Sequence, residues 1–226
     1  MTDIKRLLKL IPTCNGVRTI IGVTVITFLF PVFFTIIGEE PGLFFTVAVL
    51  LAMCVSMLTM LMFQVELPCF IRMSAYRKRM MIKAPPVLLF VWEFLVWMIL
   101  ACSVWFGSRH FPDYANGTFF AVTVYYLAVS FIYTAYMPWQ YKLSGIGTVI
   151  SMVVFFAAFA VVVFLPMVRL LPYDDAFIAS FPNVPPYLTI LTAVAGCVLT
   201  ALCVAATQHI LYRYDIRQKY LDRMMK

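Results

Sequence analysis

The run VLLFVWEFLVWMILACSVWFG, residues 87–107, carries one formal charge in twenty-one residues. A helix rises ~1.5 Å per residue and the hydrocarbon core of a bilayer is ~30 Å thick, so about 20 consecutive apolar residues cross it. This stretch is long enough, and its lack of strict alternation argues against a strand of a membrane barrel, which would need short alternating segments. Five more runs of the same kind can be read outward from it. Spans are expected at 17–38, 43–64, 87–107, 118–138, 146–167 and 187–212. The composition agrees, with 64% hydrophobic residues, 12% charged and a mean hydropathy of +0.96. The expected fold is therefore an all-α integral membrane protein, a single domain of six transmembrane helices over residues 1–226.

Orientation follows from the cations, because short basic connections resist translocation. Fifteen of the seventeen Lys and Arg residues fall on one side: Lys5, Arg6, Lys9, Arg18, Arg72, Arg77, Lys78, Arg79, Lys83, Lys142 and the five from Arg213 to Lys226. That side is expected to be cytoplasmic, with both termini on it. The opposite connections hold Glu39, Glu40, Asp113, Asp174 and Asp175 against Arg109 and Arg169. The net charge of +7 is thus accounted for by topology, and no nucleic-acid partner is implied. A cationic start before an apolar run resembles a secretory signal, but the first run is too long, contains Pro31 and ends in Ile37, Gly38, Glu39 and Glu40 rather than at a small-x-small site. It reads as an uncleaved span. The six cysteines (Cys14, Cys54, Cys69, Cys102, Cys197, Cys203) form no CxxC and none lies in an outer connection, so neither a disulfide framework nor a zinc site is suggested.

Three cytoplasmic stretches carry pattern. Ile4, Leu7, Leu8 and Ile11 share a helical face opposite Lys5, Arg6 and Lys9, which predicts a short interfacial helix over 1–12, stopped by Pro12. A basic topogenic start is the plainer alternative. In the second connection Ser74 can cap a helix from Ala75, placing Arg77, Lys78 and Arg79 beside Tyr76 and Met80, with Arg72 just ahead. Apolar knobs among cations suit docking on a cytoplasmic protein; an anchor to anionic lipid explains them equally well. The tail, 213–226, pairs Asp215 with Lys219 and Asp222 with Lys226 at i, i+4, which favours helix continuing into the cytoplasm. On the outer side, the proline-rich connection before the last span could dip into the leaflet or run as an ordinary loop. Asn116-Gly117-Thr118 matches a glycosylation acceptor by pattern alone.

Chemistry is sparse within the spans. No HExxH, GxSxG, aspartate pair, metal-ligand cluster or Gly-rich phosphate loop with a Lys is present, so an enzyme is not expected. Glu93 is the one formal charge well inside a span. At that depth an ionisable group costs a few kcal/mol unless paired or hydrated, so it is either functional or held by a Thr, Ser or Tyr of a neighbouring span. Thr123, Tyr126, Ser130, Tyr133 and Thr134 share a face of the fourth span, fit either for packing or for lining a cargo path with Glu93. Thr192, Gly196 and Thr200 lie on a small-residue stripe of the sixth span of the kind that admits a close helix. In the first span Thr24, Thr27, Pro31 and Thr35 share a face, with a kink expected at the proline.

Six spans with cytoplasmic ends, the interfacial helix, the segment Ser74-Ala75-Tyr76-Arg77-Lys78-Arg79 and the long connection before the last span together resemble the permease subunit of an ABC-2 type ABC transporter, over nearly the whole chain. Many members carry Pro after the Ser-Ala step, which this chain lacks, and it lacks the large outer domain of some. The resemblance implies that the segment from Arg72 through Met80 is a coupling helix seated on a separate cytoplasmic ATPase. Two permease copies, identical or not, would pair around a path, and ATP and magnesium would bind the partner, leaving this chain without a cofactor or metal of its own. It is most similar to compact peptide exporters. The cargo implied is apolar or amphipathic, moved out across a cell membrane, the expected one being a bacterial plasma membrane. The competing expectations are a six-span substrate-capturing subunit of a vitamin-type uptake system, and a non-transporting membrane scaffold or immunity protein.

Overall fold

The computed structural model describes residues 22, 25, 29, 41–66, 83–110, 115–142, 149, 152–154, 156, 157, 160 and 182–213, with side chains in the longer stretches described over 44–56, 83–109, 115–136 and 182–210. Everything regular in them is helical. Four helices carry the architecture: α1 (Pro41–Glu66), α2 (Ala84–Gly107), α3 (Ala115–Lys142) and α4 (Pro186–Arg213). Three stretches within them, Ala84–Gly107, Ala115–Tyr136 and Pro186–Ile210, are long and apolar enough to cross a membrane. The described apolar part of α1 is the shorter Phe44–Ser56. Positions 22, 25 and 29, and 149, 152–154, 156 and 157, are helical and exposed within the expected first and fifth spans. The interfacial helix, the second cytoplasmic connection, the proline-rich outer connection up to residue 181 and the tail beyond Arg213 lie outside the described residues.

The ends of the helices follow from local chemistry. Pro85 and Pro86 occupy the first turn of α2, where a missing N–H leaves no bond unmade and the fixed φ suits a helix. Pro186 opens α4 in the same way, and the Leu188 and Thr189 N–H groups close onto the Pro185 carbonyl at 3.0 and 3.4 Å. α2 ends at Ser108, whose N–H bonds the Val104 carbonyl and whose hydroxyl donates to the Trp105 carbonyl at 2.9 Å, and a short 3-10 turn, Ser108–His110, follows. The helices outrun the expected spans by a few residues, because a helix does not have to stop at the hydrocarbon boundary. α3 passes through Pro138, the expected limit of the fourth span, and continues to Lys142.

α2 and α3 pack on each other, and α1 and α4 each pack on both of them. Both faces of these helices are apolar, so hydrophobicity does not sort inside from outside. Polarity and shape do. On α2 the outward face is Val87, Val91, Leu95, Met98 and Trp105, while Leu89, Glu93, Val96, Trp97, Leu100 and Val104 point in. On α4 Leu191, Val198, Leu199 and Leu202 are exposed, whereas Thr189, Ala193, Cys197, Thr200, Val204, Thr207 and Gln208 are buried. Large aliphatic side chains outside and hydroxyls inside are what lipid demands, since lipid accepts Leu readily and leaves a hydroxyl without a partner. α3 shows Val124 as its single large exposed apolar side chain among the described residues.

Close approach is set by two glycines. At Gly196 of α4 an added Cβ would meet Leu127 of α3 at 2.6 Å, and at Gly107 of α2 it would run into the Phe44 ring of α1. Aromatic contacts fill the remaining core, with Phe45 edge-on to Tyr125 at 5.4 Å and Trp97 beside Phe94 and Phe119 at 5.5 and 6.2 Å.

Candidate functional site

The polar side chains of the interior gather along one seam between α2, α3 and α4. Glu93 sits nine residues into α2, about 13 Å from its start at ~1.5 Å per residue, and is 0% exposed. The Ser130 hydroxyl donates to its Oε1 at 2.6 Å, and the Tyr126 hydroxyl donates to its backbone carbonyl at 3.0 Å. The spacing of Tyr126 and Ser130, i and i+4 on α3, lets one helix face grip both the main chain and the side chain of a single residue. Thr200 of α4 is buried and donates to the Gly196 carbonyl at 3.0 Å. Glu93 Oε2 has no hydrogen-bond partner.

The other expected seam residues fall around this centre. Thr123 is buried and accepts from Trp97 Nε1 at 3.2 Å. Thr134 is buried and donates to the Ser130 carbonyl at 2.7 Å, one turn back on its own helix. Tyr133 is half-buried. Of the α4 residues, Thr200 is buried, Gly196 faces Leu127, and Thr192 sits at the edge of the packed face with its hydroxyl turned back to the Leu188 carbonyl at 2.8 Å. Glu93, Thr123, Tyr126, Ser130 and Thr134 are thus brought together inside the bundle. Arg72, Ser74, Ala75, Tyr76, Arg77, Lys78, Arg79 and Met80 lie outside the described residues.

Sequence reasoning passed over several members. Trp97, one turn after Glu93, sends its indole N–H across to Thr123 of α3; a Trp one turn from an acid in an apolar run was the available signal. Trp92 Nε1 likewise reaches the Cys54 carbonyl of α1 at 3.4 Å. Gln208, buried on α4, lies eight residues after Thr200 and so on the same face. Thr118 and Thr189, in the first turns of α3 and α4, are buried with hydroxyls that have no partner. Near them a cavity of ≈ 80 Å³ opens between the last turn of α2 and the first turns of α3 and α4, lined by Val104, Trp105, Ser108, Asn116, Phe119 and Pro186. The Asn116-Gly117-Thr118 match sits in the first turn of α3, with Thr118 fully buried.

No group of three or more His, Cys, Asp or Glu stands together among the described residues. What the seam offers is hydroxyls, aromatic rings and one carboxyl group inside an apolar bundle, which is the interior of a helical membrane protein. No family model, curated protein or solved structure matches the chain.

Proposed function

We propose that the chain is the transmembrane subunit of an ATP-driven exporter in a cell membrane, moving apolar or amphipathic cargo such as a hydrophobic peptide, a lipid or a lipophilic drug out of the cytoplasm. The observation that carries this is the seam. Its hydroxyls and rings on α2, α3 and α4 provide hydrogen bonds beside apolar surface and one carboxyl, an interior suited to amphipathic molecules and poorly suited to sugars or ions. The one-sided basic charge adds to it. Arg77, Lys78 and Arg79 flanked by Tyr76 and Met80 make a segment able to seat on a cytoplasmic ATPase, and the energy source belongs to that partner because the chain has no phosphate-binding loop. Two such permeases would pair, ATP and magnesium would sit on the partner, and all six expected spans would take part, with both ends cytoplasmic.

The test is co-purification in detergent from the native membrane. An ATPase that follows the chain, and is lost when Arg77, Lys78 and Arg79 are changed to Glu, is the expected result. Retention after that reversal refutes the coupling role. Vectorial flux by the isolated chain, or a carboxyl-terminal tag labelled from the outer face, refutes the larger proposal.

The complete burial of Glu93, Ser130 and Thr134 favours a second reading, a non-transporting membrane scaffold in which the seam holds helices together. Glu93→Gln separates the two. It lowers cargo-stimulated ATPase activity with assembly intact if the chain transports, and leaves no activity to change if it does not.

A further inference from the structure

We infer that Glu93 is a proton-binding site, whose carboxyl group takes up and releases one proton as the contact between α2, α3 and α4 closes and opens. The inference rests on the geometry around the carboxyl and holds whether or not the chain is an exporter.

The described cationic side chains, Lys83, Arg109 and His209, are exposed and lie at helix ends, so none offsets a charge at Glu93. Among the described side chains of the elements packed around it, the titratable groups are Cys54 on α1, Tyr125, Tyr126, Tyr133 and Tyr136 on α3, and Tyr187, Cys197, Cys203 and His209 on α4; of these only the exposed His209 can carry positive charge. A carboxylate buried without a counter-charge is far more costly than a neutral acid in the same place.

The hydrogen bonds point the same way. Oε1 already receives the Ser130 proton. Oε2, buried beside it, has no partner at all, and an unpaired oxygen of a charged carboxylate is far more costly in such a place than the same oxygen of a neutral acid. A metal ion would need several oxygen ligands around it, and Glu93 is the lone acid of the seam among the described residues.

A hydronium ion from the aqueous side gives up a proton to the carboxylate, its own O–H bond breaking as the new one forms and a water molecule departing, and the seam closes as a neutral unit. Loss of the proton to water restores the carboxylate, which then requires hydration that the packed seam does not provide. The closed bundle therefore favours the protonated form, and deprotonation favours separation of α2 from α3 and α4. The unpartnered hydroxyls of Thr118 and Thr189 at one end of the seam, and the buried Thr207 and Gln208 toward the other, place polar groups along the way.

The experiment is pH-difference infrared spectroscopy of the full chain in nanodiscs. A buried carboxylic C=O band present in acid should disappear as the pH is raised, and should be absent from Glu93→Gln at every pH. Ser130→Ala should keep the band and displace its midpoint, which a residue that only packs would not do. Should Glu93→Gln not fold, treatment of the unaltered chain with a hydrophobic carbodiimide replaces it: peptide mass spectrometry should find the adduct on Glu93 in acid and its loss in alkali. The assignment is overturned by a band that never changes with pH, by no band at all, by a midpoint unmoved in Ser130→Ala, or by an adduct missing in acid. A midpoint that moves with sodium concentration overturns it in favour of a metal cation.

Discussion

Gly196→Ala should loosen α4 from α3, and the size of the effect can be worked from the contact. The new Cβ would lie 2.6 and 2.8 Å from the Leu127 methyl carbons and 3.1 Å from its Cγ, whereas ordinary contact begins at 3.4 Å. Turning Leu127 away costs ~0.5–1.5 kcal/mol for an off-rotamer side chain, and moving the helices apart instead costs ~1–3 kcal/mol as overpacking does elsewhere. The higher helix propensity of Ala gives little back, because a chain unfolded within lipid keeps its helices. The net loss should be about 1–2 kcal/mol. At ~2–4 °C per kcal/mol for a chain of this size, the melting temperature falls by several degrees. Thermal unfolding in detergent, followed by a thiol-reactive dye, reads this directly, since the buried Cys197 sits beside the substituted position. Leu127→Ala in the same chain should relieve the clash, so that the double variant is more stable than the two single losses added together by about 1 kcal/mol. An unchanged melting temperature in Gly196→Ala, or strict additivity in the cycle, would refute the reasoning.

Further outcomes follow from the same packing. Trp97→Phe removes the indole bond to Thr123 while keeping a ring in place, and should cost ~0.6 kcal/mol, up to ~1.7, by the measured range for interhelical bonds in membranes; Thr123→Val should cost about as much, and the two should not add in denaturation curves. Leu199→Lys puts a charge on an exposed face of α4. If that face meets lipid, insertion becomes less favourable by ~2.5–3.5 kcal/mol in a glycosylation-based insertion assay, whereas an unchanged insertion would place the face against protein or water. Gly107→Ala, which drives a methyl into the Phe44 ring, should lower the melting temperature, and the companion change Phe44→Leu should recover part of the loss.

The helices were largely legible because hydropathy alone marks them: 87–107, 118–138 and 187–212 fall inside α2, α3 and α4, and 43–64 inside α1. Their limits were less so. Pro138 looks like a stop, yet near the end of a helix a proline removes one bond and leaves the preceding turns intact. The seam was readable in part, since Glu93 stands out as a charge in an apolar run and Ser130 shares a face with Tyr126. Which hydroxyl meets which group was not readable, because that depends on how α2, α3 and α4 are turned and raised against one another, which is set by contacts such as Gly196 on Leu127 and Trp97 on Thr123. For the same reason Thr192 could be placed on the α4 stripe but not at its edge. The role of the stretch from Arg72 to Met80 rests on sequence alone.

The central position of α3 bears on how the protein is made. Its mean hydropathy of 1.5 is well below the 2.3 of α2 and α4, and its hydroxyls are satisfied largely by α2 rather than by itself. Such a segment enters the bilayer less willingly on its own than its neighbours do. Chain order places α1 and α2 ahead of it at the ribosome, so a nascent α3 finds those two partners already waiting, and shuffling the order of the segments should hinder biogenesis even if every contact of the finished bundle were kept.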